Sequence, residues 1–393
     1  MKFLILNTDY TEFLQWLYSQ HPGLESQPYE EQMRVRNESL FGLADFYSDN
    51  LHKLGNEAWD IHVNNEFMQR AWAQQYNIQP VQPDEAVSIA QPGWNALRQI
   101  RYVTARTPLR HLKPLFRPVL RSLDKRQYKI LAAQIKHYRP DVLFNLDMKS
   151  MSSLFLKEMK PYTRLLVGQI ASPLPPNQDF RCYDLILSSL PNFVEDFRRR
   201  GVPAELHRFA FEPKILERLE QRESKISISF VGSLSSHHKA RVQLLEQLCA
   251  RQDMEIWGQG IQSLSETSSI RRCYRGEAWG IEMYQILSNS KITLNHHINI
   301  AGPYANNMRL FEATGVGTLL VTDWKENLHE MFEPGKEIVS YRTPEECAEL
   351  IQYYLEHDEE RKSIACAGQK RVLQEHTYSH RMQEFVDMVR KYL

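Results

Sequence analysis

Short runs of consecutive apolar residues recur along the chain, each ending in a glycine or a polar cluster and each followed by a polar or helical stretch. Residues 2–7 read as the first buried strand and 59–63 as the next, and 141–146, 165–170 and 184–187 follow in the first half. The second half repeats the layout at 226–231, 254–257, 291–295 and 318–322. Runs that are apolar throughout, not alternating, belong to strands covered on both faces, and strand-helix alternation gives parallel sheets. Between the strands, a helix is expected from Thr11. A long helical pattern spans 28–54, with Met33, Val35, Leu40, Leu43, Phe46, Leu51 and Leu54 apolar and Gly55 closing it. The Gln- and Pro-rich stretch 76–97, with Pro92-Gly93 inside it, reads as a loop, and 214–225 as a polar helical connection.

Length turns this pattern into two domains, because 393 residues exceed what one hydrophobic core of roughly 250–300 residues holds. The expected division is 1–212, a linker at 213–225, a second domain at 226–375, and a C-terminal helix at 376–393 packing back on the first domain. Charge adds no partner, since 48 basic residues balance 48 acidic ones. Five scattered cysteines form no Cys-x-x-Cys pair, which argues against a disulfide framework or a zinc site. With no apolar run of membrane-spanning length, a cytoplasmic chain is expected. One local exception is 98–126, where nine basic residues face the single acid Asp124 and alternate with Leu109, Leu112, Leu115, Phe116, Val119 and Leu120. That composition suits a peripheral contact with the inner membrane face or an anionic acceptor; Pro108, Pro114 and Pro118 break it up, and a solvated face over the core is the plainer account. No nucleic-acid motif is present.

Candidate chemistry collects at the strand ends. Asn307, Arg309 and Glu312 open a helix in front of the 318–322 strand, where free N–H groups and a forked cation favour a diphosphate and Glu312 is in place for vicinal hydroxyls. An ordinary solvated Arg and Glu three apart on a helix is the plainer alternative. After the 226–231 strand, Gly232 and Ser233 lead into Lys239 and Arg241, a second phosphate cradle without the P-loop or Gly-x-Gly-x-x-Gly spacing. Gly258, Gly276 and His296 fall at neighbouring strand ends. His296 and His297 lack a carboxylate or thiol at recognisable metal-binding spacing. In the first half Asp9 and Asp147 lie just past strands, where open α/β sheets bind ligands, and each is also a common turn or cap residue. Gln169 and the 172–176 loop share that edge.

The run Ser290 to Asn295, then Arg309-Leu310-Phe311-Glu312-Ala313, Gly315, Leu319 to Asp323, Pro334-Gly335-Lys336, Ala367-Gly368-Gln369 and His376-Thr377-Tyr378, resembles the C-terminal domain of CgeB-like glycosyltransferases. The resemblance implies an α/β, GT-B fold, two Rossmann-like domains facing across a cleft, with donor on the second domain and acceptor on the first. It implies that Glu312 takes the ribose hydroxyls, that Arg309 meets the diphosphate with Gly232, Arg241 and Lys239, and that Gly276 meets the base. Many relatives carry a glutamate eight positions before Glu312; Tyr304 stands there, which leaves both stereochemical courses open. The expected reaction is metal-independent transfer from a nucleoside diphosphate sugar, with no cofactor, to a hydroxyl of a glycan, lipid-linked or small-molecule acceptor. An inverting course calls on Asp9, then Asp147, as base. An epimerase of the same fold and a non-catalytic surface or coat assembly protein are the alternatives.

Overall fold

A computed structural model describes residues 1–78, 128–174, 178–220, 225–235, 238–305 and 307–393. The expected loop at 79–97 and the basic stretch 98–126 lie outside the described residues. The first sheet holds β1 (Lys2–Asn7), β2 (Glu57–His62), β3 (Val142–Asn145), β4 (Leu165–Gln169), β5 (Leu185–Ser188) and β6 (Ala204–Leu206) in the order β2-β1-β3-β4-β5-β6. Every pairing is parallel. Alternation across the pleat explains the unbroken apolar runs. Phe3 and Ile5 enter one core and Leu4 and Leu6 another, so both faces of β1 are buried.

The second sheet holds β7 (Ile226–Val231), β8 (Glu255–Trp257), β9 (Tyr274–Gly276), β10 (Ser290–Asn295), β11 (Leu319–Asp323) and β12 (Val339–Tyr341) in the order β12-β11-β10-β7-β8-β9, again parallel. The strand order reverses direction between β7 and β10, as it does between β1 and β3 in the first sheet. Both are topological switch points, where diverging helices leave a crevice at the carboxyl ends of the strands. Two Rossmann-like domains are therefore present, as the strand pattern predicts.

Local details depart from the pattern. Instead of one helix over 28–54 there are two, Tyr29–Glu38 and Phe46–Lys53. The chain reverses between them through the left-handed residues Leu40, Gly42 and Ala44. That break places Phe41 in an aromatic cluster and Ser39 against the second domain, so tertiary packing overrides helical periodicity. The connection at 214–225 is a 3-10 turn, Pro213–Arg218, over its described part, opened by Pro213 and by the Glu212 carboxylate accepting from the Lys214 N–H.

Among the described residues, three apolar seams join the domains. The C-terminal helix Tyr378–Arg390, capped by Thr377 and His380, lies on the first sheet. Its Phe385 ring sits 4.6 Å from Phe144 and 5.7 Å from Phe3. Phe211 and Thr377 form an isolated parallel bridge beside it, with the Phe211 N–H donating to the His376 carbonyl and the Tyr378 N–H to the Phe211 carbonyl. On the other side Trp279 packs among Tyr10, Phe13 and Phe41 of the first domain, 4.9 Å from Phe41. The third seam is the loop after β10, which sends Ile298, Ile300, Ala301 and Tyr304 into the hydrophobic cluster of the first domain.

Candidate active site

The first-domain switch point is a formed cavity of about 380 Å³. Asn7, Thr8 and Asp9 from the end of β1, Asp147 from the end of β3 and Gln169 and Ser172 after β4 line it, and Met308 of the second domain closes one side. Tyr10 stands at its rim with 59% of its surface exposed. Both sequence-derived carboxylates therefore face the same space, but their environments differ. Asp9 is buried and clasped: Arg36 Nη2 donates to its Oδ1 at 2.5 Å, and His62 Nδ1 lies 2.9 Å from Oδ2. Burial alone would raise its pKa, but Arg36 and then His62 outweigh burial and hold the carboxyl well below the usual range. Asn64 adds two more bonds, to the Asp9 N–H and carbonyl. A carboxylate so stabilised in its charged form is a weak proton acceptor. Asp147 is half-buried and accepts from Thr8 Oγ1 at 2.7 Å, from Ser150 Oγ, and from the Lys149 N–H.

At the second-domain switch point, Gly232 and Gly258 touch through their backbones. The Gly232 N–H donates to the Trp257 carbonyl, and a Cβ on Gly258 would fall 1.9 Å from the Gly232 oxygen. Gly258 has φ +145°, so only glycine lets the β7 and β8 turns close this tightly. Gly276 ends β9 and its carbonyl accepts from the Gly258 N–H, placing all three glycines on one edge. Ser233 and His296 flank the crevice between β7 and β10, and Arg241 bridges them. Its Nη1 donates to the Ser233 carbonyl at 3.1 Å, while Nε and Nη2 donate to the His296 carbonyl at 3.1 and 2.7 Å. Burial pushes its pKa down to about 10. The expected phosphate ligand is thus chiefly a staple that fixes the crevice, whereas Lys239, at the start of helix Lys239–Arg251, is exposed.

Arg309 and Glu312 lie on the short helix Arg309–Gly315. Arg309 Nη1 is 2.9 Å from Glu312 Oε2, and both side chains are largely buried, not solvated. Tyr284 donates to Glu312 Oε1 at 3.4 Å. The helix start is less open than expected: the Asn307 Oδ1 accepts from the Leu310 N–H at 3.2 Å, and the Asn307 amide donates to Asn295 Oδ1 at 2.7 Å. Asn307 acts there as a cap that ties the helix to β10, so Arg309 and not a row of bare N–H groups is what this end offers an anion.

Other members of the site escaped the linear reading. Asp323, which ends β11, accepts from His297 Nδ1 at 2.6 Å and from the His297 N–H at 2.9 Å. Burial would raise the Asp323 pKa, but His297 first, then His296 and Lys325, depress it far below the usual range. His296 Nδ1 pairs instead with the Tyr341 hydroxyl at 3.0 Å. The two adjacent histidines thus turn to different partners on neighbouring strands. Tyr304, at the position where many relatives carry a glutamate, lies half-buried in the seam with the first domain.

Residues 240–387 match the family described as glycosyl transferase-like. That part of the chain is a glycosyltransferase-like domain. No curated protein matches the chain in sequence. Among solved structures, Anabaena Alr3699/HepE in complex with UDP-glucose aligns over 100% of both chains at 14% identity with a TM-score of 0.58. A glycosyltransferase from Rickettsia africae ESF-5 aligns over 100% of this chain and 98% of its own, at 12% identity and a TM-score of 0.55. Sucrose-phosphate synthase from Thermosynechococcus elongatus does so over 100% and 98%, at 9% identity and 0.54. At these identities the likeness establishes the GT-B fold. Among the described residues no helix is long and apolar enough to cross a membrane.

Proposed function

We propose that this chain is a glycosyltransferase of the CgeB-like kind, moving a hexose from a nucleoside diphosphate sugar to a hydroxyl acceptor without a catalytic metal. The observation that carries the reading is the largely buried Arg309–Glu312 pair set beside the β7–β10 switch point of a glycosyltransferase-like domain. An ion pair that shielded joins its members at a desolvation cost, which a ligand with a diphosphate for Arg309 and a vicinal diol for Glu312 would repay. The HepE complexes with UDP and UDP-glucose support a uridine donor as the first to try.

In this account the donor lies along the second sheet edge, with its base near Gly276, its ribose on Glu312, and its diphosphate between Arg309, the Gly232–Ser233 turn and Lys239. Charge developing on the leaving diphosphate is met by those cations and the turn's N–H groups, which is electrostatic catalysis. The acceptor occupies the first-domain cavity, where hydroxyls find Asp147, Thr8 and Gln169. If the course is inverting, Asp147 serves as base ahead of Asp9, because Asp9 is engaged by the buried Arg36 guanidinium and His62 whereas Asp147 is half-buried and lines the cavity. A dedicated acceptor cavity on the opposite domain favours transfer over one-substrate epimerisation and over a coat role with no ligand.

The test is release of nucleoside diphosphate from a panel of nucleotide sugars, with and without mixed glycan, lipid-linked and small-molecule acceptors. Acceptor-stimulated release that survives excess EDTA is the expected result. Turnover that is complete without acceptor would indicate an epimerase or hydrolase, and loss of activity on chelation would remove metal independence.

A further inference from the structure

Polar groups on the wall of the first-domain cavity are largely spent on one another. Asn7 Oδ1 accepts from the Thr8 N–H at 2.9 Å, Thr8 Oγ1 donates to Asp147, and Gln169 Oε1 accepts from the Tyr47 hydroxyl at 3.4 Å. The Asp9 carboxylate is taken by Arg36 and His62. Asp147 accepts from Thr8 Oγ1 and Ser150 Oγ on Oδ2 and from the Lys149 N–H on Oδ1, whereas a carboxylate has about four lone-pair sites. Among the described residues that leaves room for one incoming hydroxyl. Charge is balanced as well, since Arg36 and Lys149 match Asp9 and Asp147 around the same space.

The rest of the wall is apolar and partly aromatic. Tyr10, Phe41 and Phe209 line the cavity together with Leu146 and Met308. The Tyr10 and Phe41 rings are 6.0 Å apart, and Phe41 is braced by Trp279 at 4.9 Å. Tyr10 keeps 59% of its surface exposed while lining the cavity, which leaves ring area for a ligand to cover. A sugar unit carries a hydroxyl or ether oxygen on nearly every carbon, and each would enter this space at a desolvation cost with few partners to offset it. A flat apolar body with one hydroxyl avoids that cost.

We infer that the cavity takes an uncharged planar aromatic compound, its one hydroxyl on Asp147, and that Tyr10 selects it by stacking. At about 380 Å³ the cavity lies in the range of small-molecule sites, roughly 300–1,000 Å³. The inference rests on the acceptor role proposed for this cavity and narrows it to one chemical class.

Binding is measured first without any nucleotide, by titrating umbelliferone, methyl glucoside and octanol into wild type, Tyr10→Phe and Tyr10→Ala, each confirmed to unfold cooperatively. A slightly acid buffer keeps the umbelliferone hydroxyl protonated. The expected result is saturable binding of umbelliferone alone, unchanged in Tyr10→Phe and weakened roughly five- to tenfold in Tyr10→Ala, the worth of one aromatic pair. With a nucleotide sugar that wild type turns over, umbelliferone should then stimulate release of the diphosphate, and Tyr10→Ala should raise its KM with kcat held. Preference for methyl glucoside or octanol, no binding of umbelliferone, or equal umbelliferone affinity in Tyr10→Ala and wild type would overturn the inference. Umbelliferone binding that follows the Tyr10 series, with no turnover of any nucleotide sugar, would uphold the ligand class and remove the transferase reading instead.

Discussion

Asp60 shows how a single half-buried group contributes to the response of this protein to pH. It sits in β2 against the helix Phe46–Lys53, accepts from Ser48 Oγ, and burial pushes its pKa up to about 7 from an ordinary 3.8. The folded state therefore holds a proton that the unfolded chain has already released between pH 4 and 7, and stability drains away as pH rises through that window. Asp60→Asn removes the ionisation while keeping the shape. Thermal denaturation should find the variant more stable than the parent at pH 8, with the difference shrinking toward pH 4. The same kind of partner-dependence limited what could be read from the linear chain. Asp9 and Asp147 were legible as strand-end carboxylates, because their positions follow from the strand pattern. That Asp9 is neutralised by Arg36 and His62 was not, since those partners come from a helix and a neighbouring strand far away in sequence. His297 and Asp323 are another such pair, 26 positions apart.

Among the elements, strands long enough to carry a run of apolar residues were visible, and those that were not are β6, β9 and β12, each three residues long at or beside a sheet edge. Three residues hold little periodicity: the equally short β8 stood out only with Gly258 directly after it, and the pairing of the other three is decided by neighbours. The turn that enters helix Ile281–Ser288 is likewise a tertiary feature. Gly280 has φ +54°, a Cβ there would fall 1.9 Å from the Ser39 carbonyl oxygen, and the Ile281 N–H donates to that same oxygen at 2.9 Å. Gly280→Ala should therefore cost about 2 kcal/mol or more in global stability. It should also accelerate hydrogen exchange at the Ile281 amide ahead of amides in β7 and β10. Unchanged exchange at Ile281 would mean that the contact does not hold the two domains together.

For the whole molecule, the two-domain parallel architecture followed from length and strand order, while the seams between the domains depend on aromatic residues whose meeting no local pattern announces. Trp279 reaching Phe41, and Phe385 reaching Phe144, each join residues more than 200 positions apart. Those seams set two switch-point crevices against each other, one with a formed cavity and one with a largely buried Arg–Glu pair, and the proposed transfer between two substrates rests on that opposition. The central claim is that the second crevice binds a nucleoside diphosphate through Arg309 and Glu312. Thermal shift of the purified chain with UDP, GDP, TDP, CDP and ADP, on wild type beside Glu312→Gln and Arg309→Ala, tests it most directly. A rise in midpoint for one base, lost in both variants although each still unfolds cooperatively, is the predicted result. No shift with any nucleotide, or an equal shift in all three proteins, would contradict it.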